Sequence, residues 1–295
     1  MKNGGKHMSF EIVTDSSANL PQALIEEHNI HVLSLSYYID EEEFSSYVQG
    51  EKNDLSYFYE KLHGKSHIRT SLVNVEDAAI KMEELLQGKK DILYIGFSSG
   101  LSGTFQSVSL ACNDLKENYP DAKIICVDTL SATMGQGLLV YYACMKRKEG
   151  QSIEAAAGWI EENKLKMCHA VMVEDLFFLK RGGRISAAAA VFGTALSVKP
   201  LIRVNEQGCL EVPGKTRGRK KAFDEMLRQL REKVVSPEEQ VFGIAHADCE
   251  ADALYIKERL EEMNPKAIFV EKMEPVIASH TGPGCVMIAY LGTHR

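Results

Sequence analysis

The chain predicts an α/β protein of two domains, a parallel sheet followed by a mixed one. Three features of the sequence carry that expectation. Continuous apolar runs alternate with helical stretches through the first half, the pattern of a parallel sheet covered on both faces. The second half contains a hairpin signal at Asn205-Glu206-Gln207-Gly208, where glycine supplies a permissive turn dihedral inside an otherwise α/β pattern. No repeat, low-complexity tract or flexible linker separates the halves, so the two domains should dock closely.

In the first half, Phe10 to Thr14 reads as a strand ending in Asp15-Ser16-Ser17, and His31 to Ile39 as a second. Asp91 to Phe97 is a third, followed by Ser98 to Thr104 and a helix running towards Tyr119. Lys123 to Val127 is a fourth; it ends in Asp128-Thr129 and leads through Ser131 into a helix. In the second half, strands are expected at Ala170 to Val173, Val198 to Val204, Cys209 to Val212, Val241 to Ala245, Ala267 to Val270 and Val286 to Leu291. Helices are expected at Lys220 to Lys233 and Glu250 to Met263. The boundary falls within Asn163 to Cys168, dividing the chain into residues 9–165 and 166–295. Met1 to Ser9 is polar, lacks the apolar core of a secretory signal and is left out of the fold.

With 295 residues, 45% hydrophobic and 25% charged, the chain has the balance of a globular protein. No apolar run reaches the roughly 20 residues that cross a bilayer. The net charge of −7 argues against broad nucleic-acid binding, which needs a surplus of Lys and Arg. Seven cysteines are scattered, never as CxxC, and predict reduced thiols in a cytoplasmic protein.

Three first-half strands end in small hydroxyl residues, at Asp15-Ser16-Ser17, Ser98 to Thr104 and Asp128 to Ser131. The carboxyl edge of an open parallel sheet forms the ligand crevice, so these segments should converge on one rim. Ser102-Gly103-Thr104 also opens a helix, whose free N–H groups favour an anion; simple N-capping explains the same residues without a ligand. No P-loop, dinucleotide fingerprint or zinc spacing is present, and no metal or cofactor is expected. Leu179 to Ser186 sets three cations around Gly182-Gly183 before an apolar, alanine-rich helix that Ser186 would cap, and Lys215 to Lys221 packs five cations into seven positions. Both fit a solvated face or an anion or partner site. In His280-Thr281-Gly282-Pro283-Gly284, the Gly-Pro-Gly corner should present His280 from a rigid loop as a carboxylate donor; the alternative is a structurally bonded histidine.

Together these motifs resemble the DegV family, bacterial fatty-acid-binding proteins that serve as carrier subunits of fatty acid kinase. The matching segments run in family order: Thr14 to Ser17, Thr70-Ser71, Ser98 to Thr104, Asp128 to Gly137, Leu179 to Ser186, Gly193-Thr194 with Lys199-Pro200, Arg217-Gly218 with Lys220-Lys221, and His280 to Gly284. The resemblance implies an N-terminal Rossmann-like domain, a C-terminal mixed α/β domain, and a long-chain fatty acid buried between them. It implies carboxylate-binding hydroxyls at Thr70 and Ser102, with Ser71, Gly103, Thr104 and His280 in the same ligand site. Arg217 and His280 are implied as a basic pair for ligand exchange or docking to the kinase catalytic subunit, with Arg181 or Arg184 on that surface. The chain departs from the family where Leu72-Val73-Asn74 stands in place of Gln-Pro-Ser.

Such a ligand suits the composition. Roughly 15 buried methylenes contribute on the order of 10 kcal/mol before ordering costs, while hydroxyl and N–H donors satisfy the carboxylate. Ala187 to Phe192, Leu196, Ile277, Val286 and Ile288 are expected to line the slot. The chain would then be a carrier and not an enzyme, with phosphoryl transfer done by a separate kinase and transient membrane contact left open. The alternatives are a stand-alone hydrolase or acyl transferase using Ser102 and His280, and a nucleic-acid-binding regulator using Lys215 to Lys221.

Overall fold

Three sheets organise the described residues of the computed structural model, 10–51, 54–64, 66–186 and 197–295. The first half runs β1 (Glu11–Asp15), α1 (Gln22–Glu27), β2 (Ile30–Leu33), β3 (Ser36–Ile39), β4 (Glu42–Ser45), α2 (Ser56–His63), β5 (Ile68–Ser71), α3 (Val75–Gln87), β6 (Ile92–Gly96), α4 (Thr104–Asn118), β7 (Ile124–Asp128), α5 (Thr133–Lys148) and α6 (Ile153–Asn163). The second runs β8 (Met167–Met172), α7 (Phe177–Arg181), β9 (Val198–Val204), β10 (Leu210–Arg217), α8 (Arg219–Lys233), β11 (Val241–His246), α9 (Glu250–Glu261), β12 (Ala267–Lys272), α10 (Pro275–Thr281) and β13 (Val286–Leu291).

Strands β2-β1-β6-β7 form a wholly parallel sheet. Its central strands β1 and β6 are buried at every position, as strands covered on both faces must be. A six-stranded mixed sheet has the order β10-β9-β8-β13-β11-β12, parallel only between β11 and β12. Side-chain alternation divides its faces. Met172, Phe242, Ile244, Val286 and Ile288 join a core with α8 and α9, whereas Val171, Ala245, Met287 and Ala289 join the core shared with the first half. Helix α5 lies between the two systems, touching β1 and β6 on one side and β8, β11 and β13 on the other.

Several expectations need correction. His31 to Ile39 is not one strand: the chain leaves the parallel sheet after Leu33, and β3 starts a separate antiparallel sheet of order β4-β3-β5. The break follows from Ser34, whose hydroxyl donates to the Leu35 carbonyl and accepts from the Tyr47 amide. Val286 and Ile288 face the α8/α9 core, and their neighbour Met287 takes the opposite face. His280 sits in the last turn of α10, which Gly282-Pro283-Gly284 terminates. The expected alanine-rich helix after Ser186, the slot residues Ala187 to Phe192 and Leu196, and Gly193-Thr194 lie outside the described residues. All seven cysteines are free thiols, and no described helix is long and apolar enough to cross a membrane.

Candidate functional site: a cavity between the sheets

Thr70 owes its position to strand register. Along β5, Ile68 and Thr70 share a face while Arg69 turns outward to pair with Glu41 at 2.7 Å, and Thr70 stands opposite Tyr37 of β3. Helix α10 packs on this small sheet. Its first turn is fixed by Glu274, whose carboxylate accepts from the amides of Val276 at 2.9 Å and Ile277 at 2.7 Å and from the Ser46 hydroxyl. One N-cap side chain thus satisfies two free helix N–H groups. Burial pushes the Glu274 carboxyl up to about 7. Anchored there, α10 brings His280 Nε2 to 2.9 Å from Thr70 Oγ1.

The far side of the imidazole is closed by Gly182. A β-carbon on that residue would lie 2.2 Å from His280 Nδ1, so close approach, not backbone conformation, requires glycine here. Arg184 ties this turn to the first half, donating to the Gly182 carbonyl and, at 3.1 Å, to the Leu101 carbonyl. Burial first, then the Arg184 and Arg181 charges, hold His280 down to about 4. At neutral pH the imidazole is therefore neutral, with one donor and one acceptor nitrogen. With the proton on Nε2 it donates to Thr70 Oγ1 and leaves the threonine O–H free to point into the cavity.

That cavity has a volume of about 270 Å³. Thr70, Ser71, Ser102, Gly103, Arg184 and His280 supply polar lining. The apolar walls come from both halves: Leu35, Phe97 and Leu101 from the first, Val171, Ile202 and Met287 from the mixed sheet, and Val276 and Ile277 from α10. Leu72 lines it as well, while Val73 is buried and Asn74 caps α3 by accepting from the Asp77 amide at 2.8 Å. The departing Leu72-Val73-Asn74 segment thus gives the cavity an apolar side chain and starts a helix.

The hydroxyl-bearing strand ends do meet, but largely to satisfy one another. Asp15 accepts from Tyr94 Oη and the Phe97 amide, each at 2.9 Å, and from Ser17 and Gln136. Asp128 accepts from the amides of Ser99 and Leu130. Of those three segments only Ser102, Gly103 and Leu101 reach the cavity. Ser102 Oγ lies 3.0 Å from Thr104 Oγ1 and accepts from the amide of Thr104, the first residue of α4. Thr104 itself is buried and is not among the lining residues. Arg181 is exposed and stacks over Phe177 and Phe178. Arg217 is exposed at the end of β10, with Nε donating to Ser197 Oγ at 3.1 Å; neither arginine lines the cavity. Within the basic run, Arg219 is instead half-buried and paired with Glu174 and Asp252.

Two further lining residues are not among the expected site residues, although Thr133 lies within the matching segment Asp128 to Gly137. Thr133 opens α5, and His169 interrupts the apolar run of β8. Burial, with the Arg295 charge, drives His169 down to about 3.

A two-part α/β chain enclosing an apolar cavity with a polar group of donors is the class that this geometry defines. The chain belongs to the DegV family: the family model described as "Uncharacterised protein, DegV family" matches residues 9–293. A DegV domain-containing protein of Clostridium perfringens is 43% identical over 96% of this chain and 97% of its own length. Among solved structures, a DegV family protein from Thermus thermophilus described as fatty acid binding superposes with a TM-score of 0.86 at 30% identity, covering 96% of this chain and all of that one. DegV of Bacillus subtilis, described as a fatty acid binding protein, gives 0.83 at 29% identity over 97% of this chain and all of the other.

Proposed function

We propose that the protein binds a long-chain fatty acid in this cavity and presents its carboxyl group to a separate fatty acid kinase subunit, which forms the acyl phosphate. The observation that carries the reading is the Thr70–His280 pair opening onto a mostly apolar cavity between the sheet systems. A bare carboxylate is expensive to bury unless donors meet it, and the hydroxyls of Thr70 and Ser102 are placed to donate. The alkyl tail then supplies most of the affinity, at about 0.8 kcal/mol for each buried methylene. The solved relatives described as fatty acid binding support the same ligand class.

Ser102 has Thr104 as its hydroxyl partner, and His280 has Thr70. A serine nucleophile needs its base within hydrogen-bond reach, so this pairing favours a carrier over a hydrolase. Exposed Arg181 and Arg217 suit a surface that meets the anionic kinase reaction. The division at residues 165 and 166 and a cytoplasmic setting belong to the same proposal.

Lipid extracted from the purified protein and weighed by mass spectrometry tests the ligand. Near-stoichiometric fatty acid is expected; protein that is lipid-free and ignores added fatty acid would end the reading. Acyl-phosphate formation on adding a bacterial fatty acid kinase subunit and ATP tests the partner.

A further inference from the structure

The lining of the cavity follows the mixed sheet row by row and stops at one residue. Alternation along β8 turns His169, Val171 and the following Val173 to the cavity, and four extended residues span about 13 Å. Val171 stands opposite Met287 on β13 and Ile202 on β9, and all three line the cavity. One row further along, His169 lines it but its partner Ala289 does not. In the row after that, neither Met167 nor its partner Leu291 reaches the lining, and Met167 is fully buried. The other end of this stretch abuts the loop after His280, since a β-carbon on Gly284 would lie 2.8 Å from Glu174 Cγ. His169 therefore stands at the end of the cavity remote from the Thr70–His280 pair.

Behind the ring lies helix backbone. A β-carbon on Gly135 of α5 would overlap His169 Nε2 and lie 2.6 Å from Cε1, so the imidazole fills the space a side chain there would take. The ring is thus a spacer between α5 and the end of the cavity. Both ring nitrogens are sealed off from the cavity, so the surface that His169 gives to it is carbon. Burial also keeps the ring uncharged at neutral pH. An uncharged ring that turns its carbon edge outward is a compatible neighbour for a hydrocarbon end, as an imidazolium would not be.

We infer that His169 is the stop that sets the longest acyl chain the protein holds, with Gly135 behind it fixing how deep that stop lies. Each methylene that finds room tightens binding by about fourfold. One that does not must pull the carboxyl group away from its donors or force packed side chains aside. Affinity should therefore climb with chain length and then fall abruptly. The inference rests on the proposed fatty-acid reading and adds a length limit to it.

The test is competitive displacement of a fluorescent fatty acid from the delipidated full chain by unbranched saturated acids, from decanoic to docosanoic. The wild-type protein should show a ceiling in length. His169→Ala should raise it, so that the first acid beyond the wild-type ceiling binds the variant about tenfold more tightly than it binds wild type. His169→Leu, of similar bulk, should restore the wild-type ceiling, which separates bulk from any role of the ring nitrogens. Gly135→Ala acts in the opposite direction: its β-carbon drives the ring into the cavity and should lower the ceiling. A wild-type series without a ceiling, or a ceiling that His169→Ala leaves in place, overturns the inference and leaves the fatty-acid reading standing. Binding of no acid in the series removes both. If His169→Ala does not fold, the ceiling in Gly135→Ala decides, and if neither folds the wild-type series does.

Discussion

His280 Nε2 lies 2.9 Å from Thr70 Oγ1, across 210 residues of chain, and this contact joins α10 of the second half to β5 of the first. It places a neutral ring behind a hydroxyl that faces the cavity. In the proposed reading Thr70 and Ser102 are the carboxylate donors, and the consequence is measurable. Thr70→Ala with Ser102→Ala should raise the dissociation constant for a fatty acid by roughly ten- to a hundredfold, since hydrogen bonds to a charged group contribute about 1.5–3 kcal/mol each and water replaces part of that. Displacement titration checks this, with the melting temperature confirming that the fold persists.

His280 predicts a pH dependence. Its folded pKa, held down to about 4 from 6.5 by burial and then by Arg184 and Arg181, means the folded chain binds fewer protons than the unfolded one between those values. Stability is fully present above about pH 6.5 and falls as pH drops towards 4. The lowering corresponds to about 3 kcal/mol at most. Urea unfolding of His280→Asn across this window should show a shallower acid loss than wild type. In a histidine NMR titration, a bound carboxylate should move the His280 midpoint upward, because a nearby negative charge favours the imidazolium.

Gly182 separates positioning from folding. Its φ of −75° is helical, so alanine meets no backbone penalty there, yet its β-carbon would overlap His280 Nδ1. Gly182→Ala should push the ring off Thr70 and weaken fatty-acid retention several-fold. The stability change should stay near the 1–3 kcal/mol of an overpacked contact. Equal retention by Gly182→Ala and wild-type protein would show that the His280–Thr70 contact does not govern the ligand.

Much of this fold is legible in the sequence where residue type and period agree. The continuous apolar runs Ile92–Gly96 and Ile124–Asp128 form parallel strands β6 and β7, and Asn205 to Gly208 turns the β9–β10 hairpin. The small antiparallel sheet is not legible, because β4 (Glu42–Ser45) and β5 (Ile68–Ser71) are short and mostly exposed or half-exposed; pairing with β3, not hydrophobic pattern, makes them strands. Thr70, Ser71, Ser102 and His280 are reached through a family motif. Their convergence depends on contacts such as Gly182 against His280 that no local spacing encodes. His169 stays hidden for the opposite reason, since one histidine within Met167–Met172 does not disturb an apolar strand.

Glu274 gives the reverse sign to His280. An acid raised from 4.5 to about 7 by burial binds more protons folded than unfolded in that interval, so stability declines as pH rises through it. The size is about 3 kcal/mol from the shift alone. Glu274→Gln retains an oxygen to accept from the first turn of α10 and removes the titration. Its unfolding free energy should be nearly flat where the wild-type value falls, measured by denaturant titration at several pH values.

Arg295 connects the two halves through backbone acceptors. Its Nη1 donates to the carbonyls of Leu130 at 2.7 Å and Asn205 at 2.9 Å; its Nη2 reaches Ser131 Oγ at 2.8 Å and the Lys164 carbonyl at 2.7 Å. The side chain is buried, and the planar fork matches this spread of acceptors in a way an ammonium does not. Loss of the guanidinium leaves several buried oxygens without donors, each at about 1–3 kcal/mol if water does not enter. Arg295→Ala should therefore lower stability by about 2–4 kcal/mol, read as a lower urea midpoint at unchanged slope. Arg295→Lys should recover only a small part. Two of these acceptors, on Leu130 and Ser131, lie in the segment that delivers Ala132 and Thr133 to the cavity wall. The alanine variant should then lose fatty-acid affinity even under conditions where it stays folded, whereas a purely structural clamp would cost stability and leave the affinity of the folded fraction intact.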